Sequence, residues 1–114
     1  MDNRIIVGLT TRVVLFGEKG KREVIGRVDT GATKSSIDLH LAKELGMGPE
    51  FKHAKVKSAH GVRHRPVILV SLAIAGELME VECTIADREH MKYKFLIGQN
   101  VLKKGFLIDP TKKA

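Results

Sequence analysis

The sequence predicts an all-β fold, a small closed β domain of about seven strands and two short helices. Three observations lead there. Short runs rich in β-branched residues recur along the 114 residues, most of them ended by a glycine-bearing turn. Met79, Val81, Cys83 and Ile85 alternate with Glu80, Glu82 and Thr84, the period of a half-buried strand. A weak repeat is also visible. Val24 to Val28 runs into Asp29-Thr30-Gly31 and later a helix, while Phe95-Leu-Ile-Gly98 leads to Gln99–Lys104 and then Gly105-Phe106-Leu107.

In chain order, Arg4–Leu9 and Arg12–Phe16 read as strands, Gly17–Gly20 as a turn, and Arg22–Val28 as the returning strand. Gly26 inside that strand marks a bulge or a close backbone approach. Asp38 caps a helix over Leu39–Leu45, stopped by Gly46, with Leu41, Leu45 and Ala42 as its buried stripe. His53–Ala59 is extended, and His60-Gly61 forms a hairpin tip leading into Val62–Ala75. Ala75-Gly76-Glu77 turns the chain into the alternating strand. Tyr93–Ile97 is a further strand, Gln99–Lys104 one or two helical turns, and Phe106–Asp109 a last strand stopped by Pro110. Residues 1–114 form a single domain on this reading, with 110–114 a flexible tail.

Composition narrows the function classes. Hydrophobic residues make up 43% and charged residues 29%, which suits a globular domain and argues against disorder. No apolar run reaches the ~18 residues needed to span a bilayer. Met1-Asp2-Asn3-Arg4 opens no signal peptide, and one cysteine cannot form an internal disulfide, so a cytoplasmic protein is expected. Twenty Lys and Arg against thirteen Asp and Glu leave a charge of +7, compatible with an acidic substrate. The cations are spread widely, and one Tyr with no Trp offers little for base stacking, so nucleic acid is a weak expectation as partner.

Val28-Asp29-Thr30-Gly31-Ala32-Thr33, then Ser36-Ile37 and Leu41–Gly46, resembles the active-site segment of retropepsin-like aspartic peptidases. Phe95-Leu-Ile-Gly98-Gln-Asn-Val-Leu102 is similar to their second signature. The ending Gly105–Pro110 is similar to a bacterial and archaeal subgroup often labelled "ATP-dependent zinc proteases". The resemblance implies a closed acid-protease barrel with one or two short helices and half a site per chain. Asp29 from each subunit of a homodimer would then meet as the catalytic pair. It further implies that Thr30 bonds across the two-fold axis, that Gly31 permits the turn, and that Ala32 lies beside substrate. Ala59, His60 and Gly61 tip the candidate flap, which runs from about Lys57 to His64. Two close carboxylates share one proton and serve as base and acid together, which suits peptide hydrolysis without a cofactor. Some relatives are associated with glutamate-ligase systems, and an acidic tail would suit the basic chain. The family frequently has arginine where Gln99 stands, so the support an arginine gives there does not carry over; Asn100 keeps the pattern.

The plainer readings are these. Asp29 could merely begin a tight turn. Asp38 reads as a helix cap and Asp109 as a strand-end turn residue. His40, His53, His60, His64 and His90 have no metal-ligand spacing, and neither a His-Glu-x-x-His motif nor a phosphate-binding glycine loop with Lys-Ser/Thr occurs, so no metal or nucleotide is expected. Cys83 and Phe95, Phe106 and Leu107 read as core. The alternatives to an aspartic endopeptidase are a non-catalytic dimeric peptide-binding module on the same fold and a basic nucleic-acid-binding domain.

Overall fold

The computed structural model describes residues 3–59 and 61–114. Nine strands and two helices follow in the order β1 (Ile5–Val7), β2 (Thr10–Gly17), β3 (Gly20–Val28), β4 (Ser35–Asp38), α1 (Leu39–Leu45), β5 (Lys52–Ser58), β6 (Gly61–Ile74), β7 (Glu77–Ala86), β8 (Phe95–Ile97), α2 (Gln99–Leu102) and β9 (Phe106–Ile108). The all-β expectation and both short helices hold. β4 is not among the predicted strands. It is four residues long, half of it serine, and becomes a strand through distant partners: β7 in parallel and β8 antiparallel.

Six strands close a barrel in the order β2-β3-β8-β4-β7-β6, sealed where Val14, Leu15 and Phe16 of β2 meet Ala73, Leu72 and Ser71 of β6. Closure leaves no free edge within this ring. Its interior is filled by alternating side chains, among them Val13 and Leu15 of β2, Ile37 of β4, Leu72 and Ile74 of β6, and Phe95 and Ile97 of β8. Cys83 is fully buried among them, and burial pushes its thiol far above the ordinary range, so it is inert packing. Thr84 interrupts the expected alternation on β7. It is buried because β4 and β6 flank it, and its hydroxyl donates to the Ser35 carbonyl at 3.4 Å.

Helix α1 follows its sequence signals closely. The Asp38 carboxylate accepts from the His40 and Leu41 N–H groups, and Gly46 closes the helix at φ 68°, its N–H donating to the Ala42 and Lys43 carbonyls. Leu41, Ala42 and Leu45 turn inward. The C-terminal end of α1 lies so close to the β2–β3 hairpin that a Cβ on Gly17 would sit 2.0 Å from the Leu45 carbonyl oxygen.

β6 is the longest strand, and its two halves have different neighbours. Val67–Ile74 pairs with β7 in the barrel wall, whereas Gly61–Val67 pairs with β5. The β5–β6 hairpin is therefore an arm that runs on beyond the barrel. The β6–β7 turn places Ala75 at φ 51° and Gly76 at φ 81°, the two positive angles of a type I′ turn. An alanine in that region is strained, so Ala75→Asn should stabilise by about 1 kcal/mol, read as a rise in melting temperature of about 4 °C. Separately, β1 and β9 pair in parallel as a two-stranded sheet, Ile6 opposite Leu107. No helix among the described residues is long and apolar enough to cross a membrane.

Candidate active site

Asp29 emerges directly from the end of β3. Its backbone N–H donates to the Ile97 carbonyl at 2.9 Å, and the N–H of Val28 donates to the Leu9 carbonyl, so the residue leaves a strand fixed on both sides. The next residues form a tight turn: the Ala32 N–H donates to the Asp29 carbonyl, and the Gly31 N–H donates to the Asp29 carboxylate at 2.9 Å. The bland turn reading of Asp-Thr-Gly is thus correct about local geometry. It does not account for what surrounds the turn. Thr30 and Gly31 are exposed, while Asp29 and Ala32 are half-buried, so the loop presents its crest outward.

Helix α2 holds this loop from behind. The Gln99 N–H donates to the Ala32 carbonyl at 2.8 Å, the Asn100 N–H to the Thr33 carbonyl at 3.2 Å, and the Gln99 side-chain amide to the Thr30 carbonyl at 2.8 Å. Gln99, which stands where the resemblance has arginine, therefore braces the loop with a neutral amide. Asn100 accepts from both the N–H and hydroxyl of Ser35 and donates to the Glu82 carbonyl, while the Ser35 hydroxyl accepts from Gly98 N–H. Buried polar groups need such partners, and this network satisfies them while fixing the loop to β4 and β7. Gly98 sits where a Cβ would lie 2.4 Å from the Lys34 carbonyl oxygen and 2.9 Å from that of Ala32. Gly98→Ala should push the loop off α2, costing about 3 kcal/mol in urea denaturation and most of any activity of the site.

The loop forms one wall of a cleft of about 530 Å³. Ala54, Val56 and Arg65 of the arm line it opposite Asp29, Gly31 and Ala32, and Ser36, Thr84 and Arg88 complete its floor and far side. The arm thus overhangs the Asp29 loop. Of the candidate flap residues, Ala59 and Gly61 lie at the exposed end of the arm, Gly61 at φ 115°; His60 lies outside the described residues. At its base the arm is tied down by Glu82, whose carboxylate accepts from Lys52 at 2.7 Å and Lys34 at 3.1 Å. Those two hydrogen bonds, Lys52 first, hold the Glu82 carboxyl below its usual range.

Sequence reasoning did not single out Arg88 or Lys34, and treated Arg65 as one of many scattered cations. Only the fold brings them to one cleft. His40, Asp87 and Glu89 likewise converge, offering three ligand atoms within 4.8 Å of one another, but all three are exposed and His40 pairs with Glu89 at 3.5 Å. Among the described residues this is the one group with the geometry to hold a metal, and it is formed by α1 and the segment after β7 rather than by the Asp29 loop.

A family described as "Retropepsin-like aspartic endopeptidase RimB" matches residues 42–114, which include the arm, β7, β8, α2 and β9. The chain belongs to the RimB-like family. The match begins after the Asp29 loop, so that loop's place in the site comes from geometry. Among solved structures, the RimB-like chain is similar to protein Lpg0085 of unknown function (DUF785) from Legionella pneumophila, with a TM-score of 0.68 and 17% identity over 98% of this chain and 97% of that one. It is also similar to the EIAV protease complexed with the inhibitor HBY-793, with a TM-score of 0.66 and 17% identity over 91% and 89%. The simian foamy virus (mac) protease gives 0.60 and 15% over 82% and 91%. At such identities these likenesses establish a shared retropepsin-like fold. Two curated relatives, each named "Probable alpha-L-glutamate ligase", come from Shewanella halifaxensis (strain HAW-EB4) and Shewanella pealeana (strain ATCC 700345 / ANG-SQ1). They are 27% and 26% identical over 96% of this chain. The chain spans 29% of the length of these relatives.

Proposed function

We propose that the chain is an aspartic endopeptidase that works as a homodimer, with residues 1–114 as one unit and Asp29 of each protomer forming the catalytic pair. The observation that carries this reading is the placement of Asp29: it ends β3 in an outward-facing loop, braced by α2 and overhung by the β5–β6 arm. An outward crest is what a two-fold partner needs in order to bring a second carboxylate beside the first. Membership of the RimB-like family supports the same chemistry.

In that pair one carboxylate is ionised and the other protonated. The ionised one takes a proton from water as the water oxygen attacks the peptide carbonyl carbon. The protonated one gives its proton to the carbonyl oxygen, producing a neutral tetrahedral diol. Collapse of the diol breaks the C–N bond, with one proton passing to the departing nitrogen and another returning to the carboxylate pair. Thr30 links the two loops across the axis, Gly31 leaves room for the close approach, and Ala32 borders the substrate backbone. Ala59, His60 and Gly61 tip a flap that closes over the peptide.

The preferred substrate on this reading is an acidic peptide. Lys34, Lys55, Lys57, Arg65 and Arg88 line the cleft, and Asp29 is the one acidic residue in its lining. The glutamate-ligase name of the two Shewanella relatives points the same way. The test is incubation of the purified protein with a peptide library at acidic and neutral pH, with and without a statine-type inhibitor. Cleavage blocked by the inhibitor and lost in Asp29→Asn is expected. A dimer that cleaves nothing and ignores the inhibitor would leave a peptide-binding module as the reading.

A further inference from the structure

Two guanidinium groups from separate elements meet in the cleft. Arg65 comes from the arm. Its cross-strand partner is Ala54, and both are half-buried and line the cleft, as does Val56. Lys55 and Lys57 alternate with these residues, are exposed and also line the cleft. Arg88 comes from the segment after β7 and is held at two points. Its backbone N–H donates to the buried Asp38 carboxylate at 2.7 Å, and its Nε donates to the Tyr93 carbonyl at 3.0 Å. That leaves the two terminal nitrogens of a half-buried, pre-aimed guanidinium for a ligand.

The surroundings give neither arginine a dedicated acid. Among the described residues neither takes part in an ion pair within 4 Å. Asp38 and then Asp29 act on Arg88 through their charge, but the Asp38 oxygens are committed to three backbone N–H groups and one Asp29 oxygen accepts from Gly31. Burial, and then the neighbouring charge of Arg65, make the positive charge on Arg88 harder to hold than usual. Two like charges in one half-buried cleft cost energy that an interposed carboxylate would convert into attraction, and the planar fork of arginine suits a carboxylate well.

We infer that Arg65 and Arg88 form a two-guanidinium subsite that grips one side-chain carboxylate of a bound peptide and so sets specificity for glutamate or aspartate beside the Asp29 loop. Because Arg65 rides on the arm and Arg88 on the barrel, the gripped carboxylate also seats the arm over the peptide. The inference deepens the acidic-peptide reading above and rests on it.

The test uses a fluorescent hexa-α-glutamate peptide and its hexaglutamine counterpart, binding to Asp29→Asn protein by anisotropy. The glutamate peptide should bind roughly 10- to 100-fold more tightly. Arg65→Gln and Arg88→Gln should each reduce that ratio, and the double variant should bring it close to one. A merely structural role would weaken both peptides alike and leave the ratio intact, which would overturn the inference. Lys21→Gln and Lys103→Gln make the same charge change at exposed positions outside the cleft and should alter the ratio by less than about threefold. If they erase it as fully as the arginine variants, diffuse attraction explains the preference and the subsite is refuted. Should Arg88→Gln not fold, Arg65→Gln reads the same ratio from the arm alone. Selective binding that depends on both arginines, without cleavage by the wild-type protein, would retain the subsite and remove the peptidase reading. Cleavage that ignores the glutamate–glutamine difference would do the reverse.

Discussion

Asp29→Asn is expected to lower peptide cleavage by about 10³- to 10⁴-fold, the contribution of a positioned acid–base pair, while the melting temperature stays close to that of the wild type. The side chain is half-buried in an exposed turn, and asparagine can still accept the Gly31 N–H, so the loop has no reason to collapse. A sharper version mixes wild-type and Asp29→Asn protomers and lets them exchange. If each site needs one carboxylate from each chain, an equal mixture should retain about one quarter of the wild-type rate, because only wild-type pairs work. Independent sites in single chains would retain about half, and that outcome would remove the shared dyad. The measurement needs only initial rates across a titration of mixing ratios.

Asp38→Ala should have the largest effect on stability, a loss of about 3–5 kcal/mol in urea denaturation. Asp38 is 3% exposed and serves two parts of the molecule. One oxygen accepts from His40 and Leu41 at the start of α1, the other from Arg88 after β7. Alanine would leave all three donors without their partner and release the segment that carries Arg88, so the cleft should loosen along with the fold. Asp38→Asn keeps the shape with one good acceptor and should lose about half as much. Burial pushes the Asp38 carboxyl upward, but the N–H groups of Arg88, Leu41 and His40 and the charge of His40 outweigh it and hold the group below its ordinary value of 3.8. A lowered carboxyl contributes its stability above the unfolded value and loses it as pH falls through the folded one. The stability gap between wild type and Asp38→Ala should therefore be constant near neutrality and narrow below about pH 3.8.

Much of this was legible from local chemistry. Asp38 and Gly46 marked the ends of α1, Gly98 marked the strand–helix junction, and the strand running into Asp29-Thr30-Gly31 announced the loop. What escaped was non-local. β4 is a strand only because β7 and β8 flank it, and its two buried serines have their hydroxyls satisfied by Asn100 and by the Thr84 carbonyl. Gln99, marked at first only by the arginine it replaces, turned out to brace Thr30. Arg65 and Arg88 have no sequence relation that would suggest a shared cleft. One sits on a hairpin arm and the other on a connection, and the barrel's closure brings them together.

The bonds from Gln99 and Asn100 to the Asp29 loop, and from β9 to β1, have a consequence for the order in which the molecule is made. These pairings join residues about seventy to a hundred positions apart, so they form late and slowly compared with the hairpins. On a ribosome, a chain that has emerged only through β7 has Asp29 but not the helix that shapes its turn, and β1 has no partner. The emerging polypeptide therefore has an Asp29 loop without its brace, which is completed only after residues 97–108 have joined the rest.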